Sequence, residues 1–376
     1  MDLESRKILL ITVRADLGGG PFHIDLILKN LVDNFNFYMA APLDEPYGIQ
    51  WQQRLGKQNF FELPFRSFSV IRFLKLLFFI KKKSIRLVHS HGKGAGIYSR
   101  MLKVFLPGIK VVHTFHGIHL QQYNSFRRNI YIRIERLLSK LTNQFINVSA
   151  GEQKICLQNN LFDKNISRII LNAMNPIANP GKTKTEIRRD QSLPLERFII
   201  ISVLRFSYQK NLPLLVNIAE QLSENKRILF LIIGDGEQRK EIETVILEKK
   251  IDNIIILGFR TNVHDYLFAS DIYLSTSLWE GLPYSLIEAA SCGLPIVATN
   301  VIGNNEIVND SENGYLFQLN NPEIAVEKIL ELESLPDLQK QMGKNSMSIA
   351  DNKFQLASMI EQIEHIYTNL FNQIKT

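Results

Sequence analysis

The chain has 376 residues, of which 45% are hydrophobic and 22% are charged, and it contains only two cysteines. These values are typical of a soluble globular protein with two domains, and they exclude a disulfide-stapled scaffold. The net charge of +7 is uneven, because residues 1–180 contain 25 Lys and Arg against 11 Asp and Glu (net +14), whereas residues 181–376 contain 19 against 26 (net −7).

The first half of the chain alternates short apolar runs with helical periods. The runs are rich in β-branched and aromatic residues, and most of them are followed by a glycine, proline or polar turn. They cover residues 7–13, 35–42, 59–65, 85–92, 110–117 and 143–149. Such alternation predicts a parallel sheet covered by helices.

A second series of the same kind follows a proline- and lysine-rich stretch at residues 175–196, which we interpret as a linker or exposed crossing. Its runs cover residues 197–205, 227–236, 253–259, 271–277, 294–300 and 313–318. We therefore predict an α/β fold of two doubly wound, Rossmann-like domains that face a cleft, with bounds of 1–180 and 190–354. A helix over about 355–376 is expected to return to the N-terminal domain.

A glycine run, Gly18 to Gly20 in "LGGGPFHI", connects the first strand to the first helix. Glycines let backbone N–H groups approach a ligand closely, and a helix N-terminus favours an anion. The run does not have the G-x-G-x-x-G spacing of a dinucleotide site. Two interpretations remain open, an anion-binding loop or a tight turn that needs positive φ.

Histidines cluster at two strand ends, His89 and His91 in "VHSHG" and His113 and His116 in "VVHTFHG". Four histidines are enough to suggest a zinc site. However, strand alternation sends His113 and His116 to opposite faces, and no carboxylate accompanies them at ligand spacing. We expect no metal, with His116 donating a hydrogen bond at the site and with His89 and His113 buried beside hydrogen-bond partners.

Two cations, Arg205 and Lys210, follow the first strand of the second series in "SVLRFSYQKN". Cations at the carboxyl end of a strand are well placed to bind a diphosphate, although a solvated basic turn is an equal alternative. Downstream, "IGDGEQR" has Gly234 and Gly236 but carries Arg239 where a nucleotide loop would have its third glycine. A plain strand-to-helix turn explains that stretch at least as well.

Two glutamates lie eight residues apart in "LWEGLPYSLIEAASCGLPIVATN", residues 278–300. Pro283 suits a helix start and Gly293 a helix end, which predicts a helix over 283–292. Glu280 then lies in the preceding loop and Glu288 more than one turn inside. The two carboxylates of a glycoside hydrolase converge on one bond from two sides. Because Glu280 and Glu288 follow one another along the same loop and helix, we expect them to bind hydroxyl groups at two places on an elongated ligand instead.

These motifs together resemble the retaining glycosyltransferases of family 4, which have the GT-B fold. The resemblance extends over almost the whole chain, and the segment 257–300 is its most specific part because its E-x7-E element occurs in full context. The other matching stretches are "GGGPFH", "VHSHGKGAG", "HTFHG", "VSAGEQ", "LNAMNP", "SVLRFSYQKN", "IIGDGEQR", "GNNEIV" and "NGYLF".

The resemblance implies a nucleoside-diphosphate-sugar donor, held mainly by the C-terminal domain, and no cofactor or metal. Arg205 and Lys210 match the family's diphosphate-binding pair. Glu280 matches a glutamate near the donor sugar, and Glu288 matches one that binds the ribose hydroxyls. The loop of Gly281, Leu282 and Pro283 matches one whose backbone amides hold sugar and phosphate.

The resemblance also gives roles to the N-terminal domain. His116 matches a histidine near the donor sugar, and Gly18, Gly19 and Gly20 would approach the donor phosphates or the acceptor. The sequence departs from common family residues at Ala173, Met174, Ser202 and Asn304. These departures affect the expected sugar and acceptor preference more than the expected activity.

The expected function is transfer of a hexosyl or N-acetylhexosaminyl group, with retention, from a UDP-sugar. The acceptor would be a glycan or lipid-linked saccharide of bacterial surface polysaccharide biosynthesis. A sugar-nucleotide epimerase or hydrolase of similar fold is the alternative. A non-catalytic glycan-binding subunit is a third reading, against which the intact set of predicted site residues argues.

The basic N-terminal half suggests contact with an anionic membrane or a phosphorylated acceptor. Nucleic acid is disfavoured because the basic residues are dispersed and match no binding motif. Residues 72–86 are either a membrane-touching amphipathic helix or a sheet-covering helix that ends in solvated lysines. The acidic N-terminus predicts no secretory signal, so a cytoplasmic protein, peripheral on the inner membrane face, is expected.

Overall fold

The computed structural model describes residues 6–120 and 123–375. Residues 1–5, on which the expectation of no secretory signal depends, lie outside the described residues, as does Thr376. Contacts divide the chain into two compact units. The first unit runs up to Asn172 and resumes at Leu356, and the second unit is Ala173–Gln355.

Strands and helices alternate along both units. The strands are β1 (Lys7–Thr12), β2 (Asn36–Ala41), β3 (Phe60–Glu62), β4 (Leu87–His91), β5 (Lys110–Thr114), β6 (Gln144–Asn147), β7 (Ser167–Ile169), β8 (Phe198–Val203), β9 (Ile228–Ile233), β10 (Ile254–Gly258), β11 (Ile272–Ser275), β12 (Ile296–Thr299) and β13 (Gly314–Phe317). The helices are α1 (Gly19–Leu31), α2 (Tyr47–Leu55), α3 (Val70–Lys83), α4 (Lys93–Phe105), α5 (Ser125–Ser139), α6 (Ala150–Gln158), α7 (Lys184–Asp190), α8 (Leu212–Gln221), α9 (Arg239–Glu248), α10 (Val263–Ala269), α11 (Tyr284–Ser291), α12 (Glu323–Ser334), α13 (Pro336–Lys353) and α14 (Leu356–Lys375).

The first unit is built on a seven-stranded parallel sheet in the order β3-β2-β1-β4-β5-β6-β7. The interior strand β1 pairs with β2 on one side and β4 on the other, so that Leu10 lies opposite both Met39 and His89. The winding direction reverses between β1 and β4. In open sheets of this kind, ligands bind beyond the carboxyl ends of the strands at that reversal.

Helix α14 packs on the first unit, as expected for the C-terminal helix. It contacts α1 and β4, and the Tyr367 hydroxyl lies 2.6 Å from Nδ1 of His89. Phe35 forms an edge contact with Tyr367 and a stacked contact with Phe371. The apolar face of the last helix therefore completes the core beside the central strands of the first sheet.

The second unit contains a six-stranded parallel sheet in the order β10-β9-β8-β11-β12-β13, which reverses between β8 and β11. Its strands are almost wholly buried except for the edge strand β10, where Ile255 is exposed. A single hydrophobic cluster, which includes Phe230, Ile232 and Leu274, joins the sheet to α8 and α12. The doubly wound α/β fold predicted for both halves of the chain is confirmed.

Each apolar run identified in the sequence contains one strand, and β7 is an additional strand that the sequence did not indicate. It has three residues at the edge of the first sheet, and two of them are exposed. A short edge strand with a polar sequence lacks the buried alternating pattern on which the prediction rests.

The boundary between the units differs from the predicted ranges, because the change of unit falls between Asn172 and Ala173. Residues 175–196 are also not a free linker, since they contain α7, whose N-terminus has a capping box of Thr183 and Glu186. The buried Arg188 of α7 bonds Asp271 at 2.7 Å and three backbone carbonyls. Composition suggested an exposed segment, whereas one buried arginine anchors it to the second unit.

No helix within residues 6–120 and 123–375 combines the length and the apolar character needed to cross a membrane.

Candidate functional site

Lys210 and Glu280 form an ion pair beside the reversal point of the second sheet. Lys210 ends a short turn after β8, and Glu280 lies in the loop after β11. Lys210 Nζ is 2.5 Å from Glu280 Oε1, which also accepts from Ser277 Oγ at 2.7 Å. Gln209 Nε2 lies 3.3 Å from the other carboxylate oxygen. Because Glu280 is only 7% exposed, these donors hold its carboxylate in one orientation.

Arg205, the second predicted diphosphate ligand, has a different neighbour. Its Nε lies 3.4 Å from a carboxylate oxygen of Glu237, in the loop after β9. Strands β9 and β11 flank β8, so the ion pairs of Arg205 and Lys210 extend to opposite sides of the β8 carboxyl end. Both cations thus follow one strand, as predicted, and each is anchored to a neighbouring strand's loop.

The loop from Gly281 to Pro283 leads directly into α11. Pro283 precedes the helix rather than forming its first turn, and Gly293, with φ 76°, follows its end. The predicted helix of 283–292 is therefore correct to within one residue at each end. The side chain of Leu282 is buried, which leaves its backbone as the part of the residue that can contact a ligand.

Glu288 lies on α11 with a partner of its own. His264 on α10 places Nε2 3.9 Å from Glu288 Oε1, and its interaction with this carboxylate raises the pKa of His264. The carboxylate of Glu288 remains partly accessible. The two glutamates of the E-x7-E element therefore have separate polar surroundings, Glu280 beside a lysine and Glu288 beside a histidine.

In the first unit, the glycine run and His116 lie together at the carboxyl ends of β1 and β5. A Cβ added to Gly20 would lie 3.7 Å from the His116 ring. Gly18 is extended, with φ 163°, and neither Gly19 nor Gly20 has positive φ. The tight-turn interpretation is therefore wrong. The absence of side chains instead lets the Arg14 guanidinium lie beside Gly18 and the His116 ring lie beside Gly20 at the N-terminus of α1.

His116 belongs to a histidine cluster that the sequence only partly indicated. Its Nε2 lies 3.0 Å from Nδ1 of His91, and its ring makes an edge contact with that of His23 at 4.9 Å between centroids. His116 has a left-handed backbone, with φ 59°, which is costly for a non-glycine residue and is often found at functional sites.

Burial sets the protonation of this cluster. Desolvation lowers the pKa of His116 and His91 well below the usual range, and the neighbouring histidines lower each pKa further. Desolvation likewise lowers the pKa of His23 to about 4. The three rings are therefore neutral near pH 7, and each offers one N–H donor and one acceptor nitrogen.

The cluster also bears on the question of a metal. His23, His91 and His116 each offer a ring nitrogen, and these atoms lie within 4.8 Å of one another. Neutral imidazoles can bind zinc. In the present arrangement, however, the hydrogen bond between His91 and His116 uses a nitrogen of each ring. The expectation that no metal is needed stays a prediction.

The other two histidines are buried, as expected, but only one is fully bonded. His89 bonds Tyr367 through Nδ1 and Thr114 through Nε2, at 2.6 and 2.9 Å. His113 bonds Ser90 at 2.9 Å through Nδ1, while its Nε2 has no hydrogen-bond partner among the residues the structure describes. The prediction is confirmed for His89 and holds for one nitrogen of His113.

Sequence reasoning missed residues that support the predicted ones. Ser277 and Gln209 orient Glu280, His264 pairs with Glu288, and His23 contacts His116. A partial signal existed for His23, which follows the glycine run in "GGGPFH". Contacts between distant segments leave no such signal in a single sequence.

Family comparisons match both halves of the chain. Residues 17–176 match the family described as Glycosyltransferase Family 4, and residues 183–348 match the one described as Glycosyl transferases group 1. The chain belongs to glycosyltransferase family 4. In this family 4 glycosyltransferase, the first matched region contains β2 to β7 and the second contains β8 to β13.

The curated relatives of the chain include proteins named as glycosyltransferases. The chain is 28% identical to the Escherichia coli UDP-Gal:alpha-D-GlcNAc-diphosphoundecaprenol alpha-1,3-galactosyltransferase, over 81% of this chain and 82% of the relative. It is 24% identical to the putative glycosyltransferase EpsD of Bacillus subtilis, over 75% of this chain and 76% of EpsD.

Solved structures establish the GT-B fold of this family 4 glycosyltransferase. Anabaena Alr3699/HepE, in complex with UDP and glucose, superposes with a TM-score of 0.84 at 18% identity, covering 97% of this chain and 100% of that one. A likeness at this identity concerns the fold, and it agrees with the two doubly wound sheets described above.

Proposed function

We propose that this glycosyltransferase transfers a sugar, with retention, from a UDP-sugar to a glycan or lipid-linked saccharide during bacterial surface polysaccharide assembly. The observation that carries the proposal is the Lys210–Glu280 pair beside the reversal point of the second sheet. The E. coli relative is named for a UDP-Gal donor and a diphosphoundecaprenol acceptor, and the HepE complex contains UDP and glucose. Both names support this choice of donor.

The proposed roles in the second unit follow from charge and position. Lys210 and Arg205 bind the donor diphosphate and stabilise the negative charge that develops on the leaving group. Glu280, fixed by its donors, contacts the donor sugar. The amides of residues 281–283 hold sugar and phosphate at the start of α11. Glu288 accepts hydrogen bonds from the ribose hydroxyls.

In the first unit, His116 donates a hydrogen bond to the sugar being transferred. Its neutral state and its hydrogen bond to His91 allow one ring nitrogen to act as a donor without a positive charge. The N-terminus of α1, bare of side chains at Gly18 to Gly20, would accommodate phosphate or acceptor oxygens. No metal, cofactor or nucleic acid takes part in the proposed reaction.

The transferred group is proposed to be a hexose or N-acetylhexosamine, and the enzyme to act in the cytoplasm as a peripheral protein on the inner face of the membrane. A lipid-diphosphate acceptor would be presented at that face, where an anionic surface attracts the basic residues of the N-terminal half.

Replacement of Lys210 tests the proposed diphosphate site. Lys210→Ala is expected to lower transfer about 100-fold or more, because it removes a charge that stabilises the leaving group. It should also reduce the rise in melting temperature that the preferred nucleotide sugar of a panel produces in the wild-type protein.

Lys249→Ala is the matched control, because Lys249, at the end of α9, also forms a 2.5 Å ion pair, with Glu220 in the last turn of α8. Its transfer rate should equal that of the wild type. Equal rates in Lys210→Ala and the wild type would contradict the diphosphate assignment. A wild-type protein that binds no nucleotide sugar of the panel would contradict the proposed function itself.

A further inference from the structure

Three histidines converge at one edge of the first sheet from three separate segments of the chain. His23 lies on α1, His91 is the last residue of β4, and His116 follows β5 by two residues. Because β1, β4 and β5 are neighbours in the sheet, the segments at their carboxyl ends meet here. Strands and a helix therefore bring the three rings together, rather than one flexible loop.

The positions of His91 and His116 suit a shared metal ion. Nδ1 of His91 and Nε2 of His116 are 3.0 Å apart. Two imidazole nitrogens that bind one tetrahedral Zn²⁺, each at about 2.0–2.1 Å, lie about 3.3 Å apart. An ion can therefore take the place of the shared hydrogen, which moves to the other nitrogen of its own ring, so that both imidazoles stay neutral.

His23 supplies the third ligand. One of its ring nitrogens lies within 4.8 Å of a nitrogen of each of the other two rings. Closing that distance to the spacing of tetrahedral ligands takes a shift of at most about 1.5 Å, which a rotation of the imidazole ring about its side-chain bonds provides. The side chain of Asn172 also hydrogen-bonds to His23. A histidine that binds a metal usually has such a second partner, which orients its ring.

The bonding of His91 differs from that of a histidine with a purely structural role. His89, on the same strand, has hydrogen-bond partners on both ring nitrogens, Tyr367 and Thr114. His91 is 3% exposed, yet its Nε2 has no hydrogen-bond partner among the residues that the structure describes. Buried polar groups are nearly always paired. Internal hydrogen bonds therefore do not account for His91, and its second nitrogen can take the hydrogen that an ion displaces.

The cluster opens to solvent at His116. This residue is partly exposed, whereas His23 and His91 are buried. Its left-handed backbone is fixed by the buried Glu152, whose carboxylate accepts a hydrogen bond from the backbone N–H of Gly117. An ion can enter from the side of His116, where a water molecule would fill the fourth coordination position.

We propose that His23, His91 and His116 form an inhibitory site for a divalent ion of the zinc type. Imidazole suits Zn²⁺, Cu²⁺ and Ni²⁺, whereas Mg²⁺ and Ca²⁺ prefer oxygen ligands. A ring that binds an ion is held by it and cannot turn to follow the donor sugar, so occupancy inhibits transfer although the ion takes no part in the reaction. The inhibition rests on the function proposed above for His116, whereas the binding of the ion does not.

Metal titration of the full chain, without a histidine tag, tests the site. Calorimetry should show one Zn²⁺ bound per chain, and Co²⁺ in its place should give the visible absorption of a tetrahedral complex. His23→Asn and His91→Asn should each raise the dissociation constant for Zn²⁺ at least about 100-fold, since losing a ligand costs at least as much as losing its outer hydrogen-bond partner. His365→Asn, at an exposed position of α14, is the matched control and should bind Zn²⁺ as the wild type does.

Inhibition is measured as the ratio of transfer rates with and without Zn²⁺, separately for each protein. At a Zn²⁺ concentration about ten times the dissociation constant, the wild-type rate should fall about tenfold, and a chelator should restore it. His23→Asn should keep most of its own metal-free rate. The same concentration of Mg²⁺ should change neither rate. Melting temperatures without metal show which variants fold, and two separate ligand variants keep the test valid if one of them does not.

The outcomes that overturn the proposal are distinct from those that overturn the proposed function. A wild-type protein that binds no stoichiometric Zn²⁺, or that binds it no more tightly than both ligand variants do, would overturn the site. Equal loss of affinity in His365→Asn would do the same. Binding through the three histidines without inhibition would overturn the inhibitory role. Zn²⁺ binding that depends on these histidines, in a protein that transfers no sugar, would support the site and contradict the proposed function.

Discussion

At the residue scale, the site is defined by which side chains hold each predicted residue. Lys210, Glu280 and Glu288 could be named from their motifs, because their residue types and spacing carry the chemistry. Their neighbours Ser277 and His264 could not. Ser277 lies only three residues before Glu280, but a single serine gives no signal by itself, and His264 reaches Glu288 from another helix. The Lys210–Glu280 pair also shows that a predicted cation and a predicted acid neutralise each other, which neither motif indicates alone.

The ribose assignment of Glu288 leads to a prediction about nucleotide selectivity. A carboxylate that accepts hydrogen bonds from ribose hydroxyls should favour UDP over 2′-deoxy-UDP, and Glu288→Gln should lose most of that preference. We expect UDP binding to weaken about tenfold, in line with hydrogen bonds to a charged group, while 2′-deoxy-UDP binding changes less. Titration calorimetry measures both, with Glu248→Gln on α9 as the control. An unchanged preference in Glu288→Gln would contradict the ribose assignment.

At the element scale, the strands were predictable and the exceptions have physical reasons. Buried parallel strands have apolar runs of recognisable length, so β1 to β6 and β8 to β13 were found. The edge strand β7 is too short and polar for that signal, and α7 lies in a stretch whose proline, lysine and polar composition suggested a linker. The histidines at the ends of β4 and β5 were seen in the sequence, but their meeting with His23 on α1 depends on the sheet order.

These buried histidines predict loss of stability in acid. Desolvation lowers the pKa of His23 to about 4, and the pKa values of His89, His91, His113 and His116 are also lowered. The unfolded chain therefore binds more protons than the folded chain once the pH falls below about 6.5, and stability should fall from there toward pH 4.

Denaturant unfolding at a series of pH values measures this effect. Each neutral buried histidine contributes a slope of up to about 1.4 kcal/mol per pH unit in the free energy of unfolding. His23→Asn removes one such group. The slope of its unfolding free energy against pH, near pH 5, should therefore be smaller than that of the wild type by about 1.4 kcal/mol per pH unit, which corresponds to about one proton. Equal slopes would show that His23 is protonated in the folded protein.

At the scale of the whole molecule, the GT-B fold and the family could be predicted because the motifs are distributed over both halves in a fixed order. The charge asymmetry was visible in the composition, but its arrangement was not. On α3 and α5, exposed lysines and arginines lie beside exposed apolar side chains. This arrangement depends on which face of each helix packs inward. The sequence therefore predicts the class of reaction, whereas donor, sugar and acceptor depend on surfaces that the motifs do not specify.

The central claim is that the protein transfers a sugar to an acceptor, rather than hydrolysing or epimerising a nucleotide sugar. The most direct measurement follows nucleoside-diphosphate release and acceptor mass together, for each nucleotide sugar of a panel with lipid-diphosphate-linked and glycan acceptors. We predict that release depends on the acceptor, whose mass rises by one sugar residue for each nucleoside diphosphate formed. Equal release without an acceptor, or conversion of the donor sugar with no gain in acceptor mass, would contradict the account.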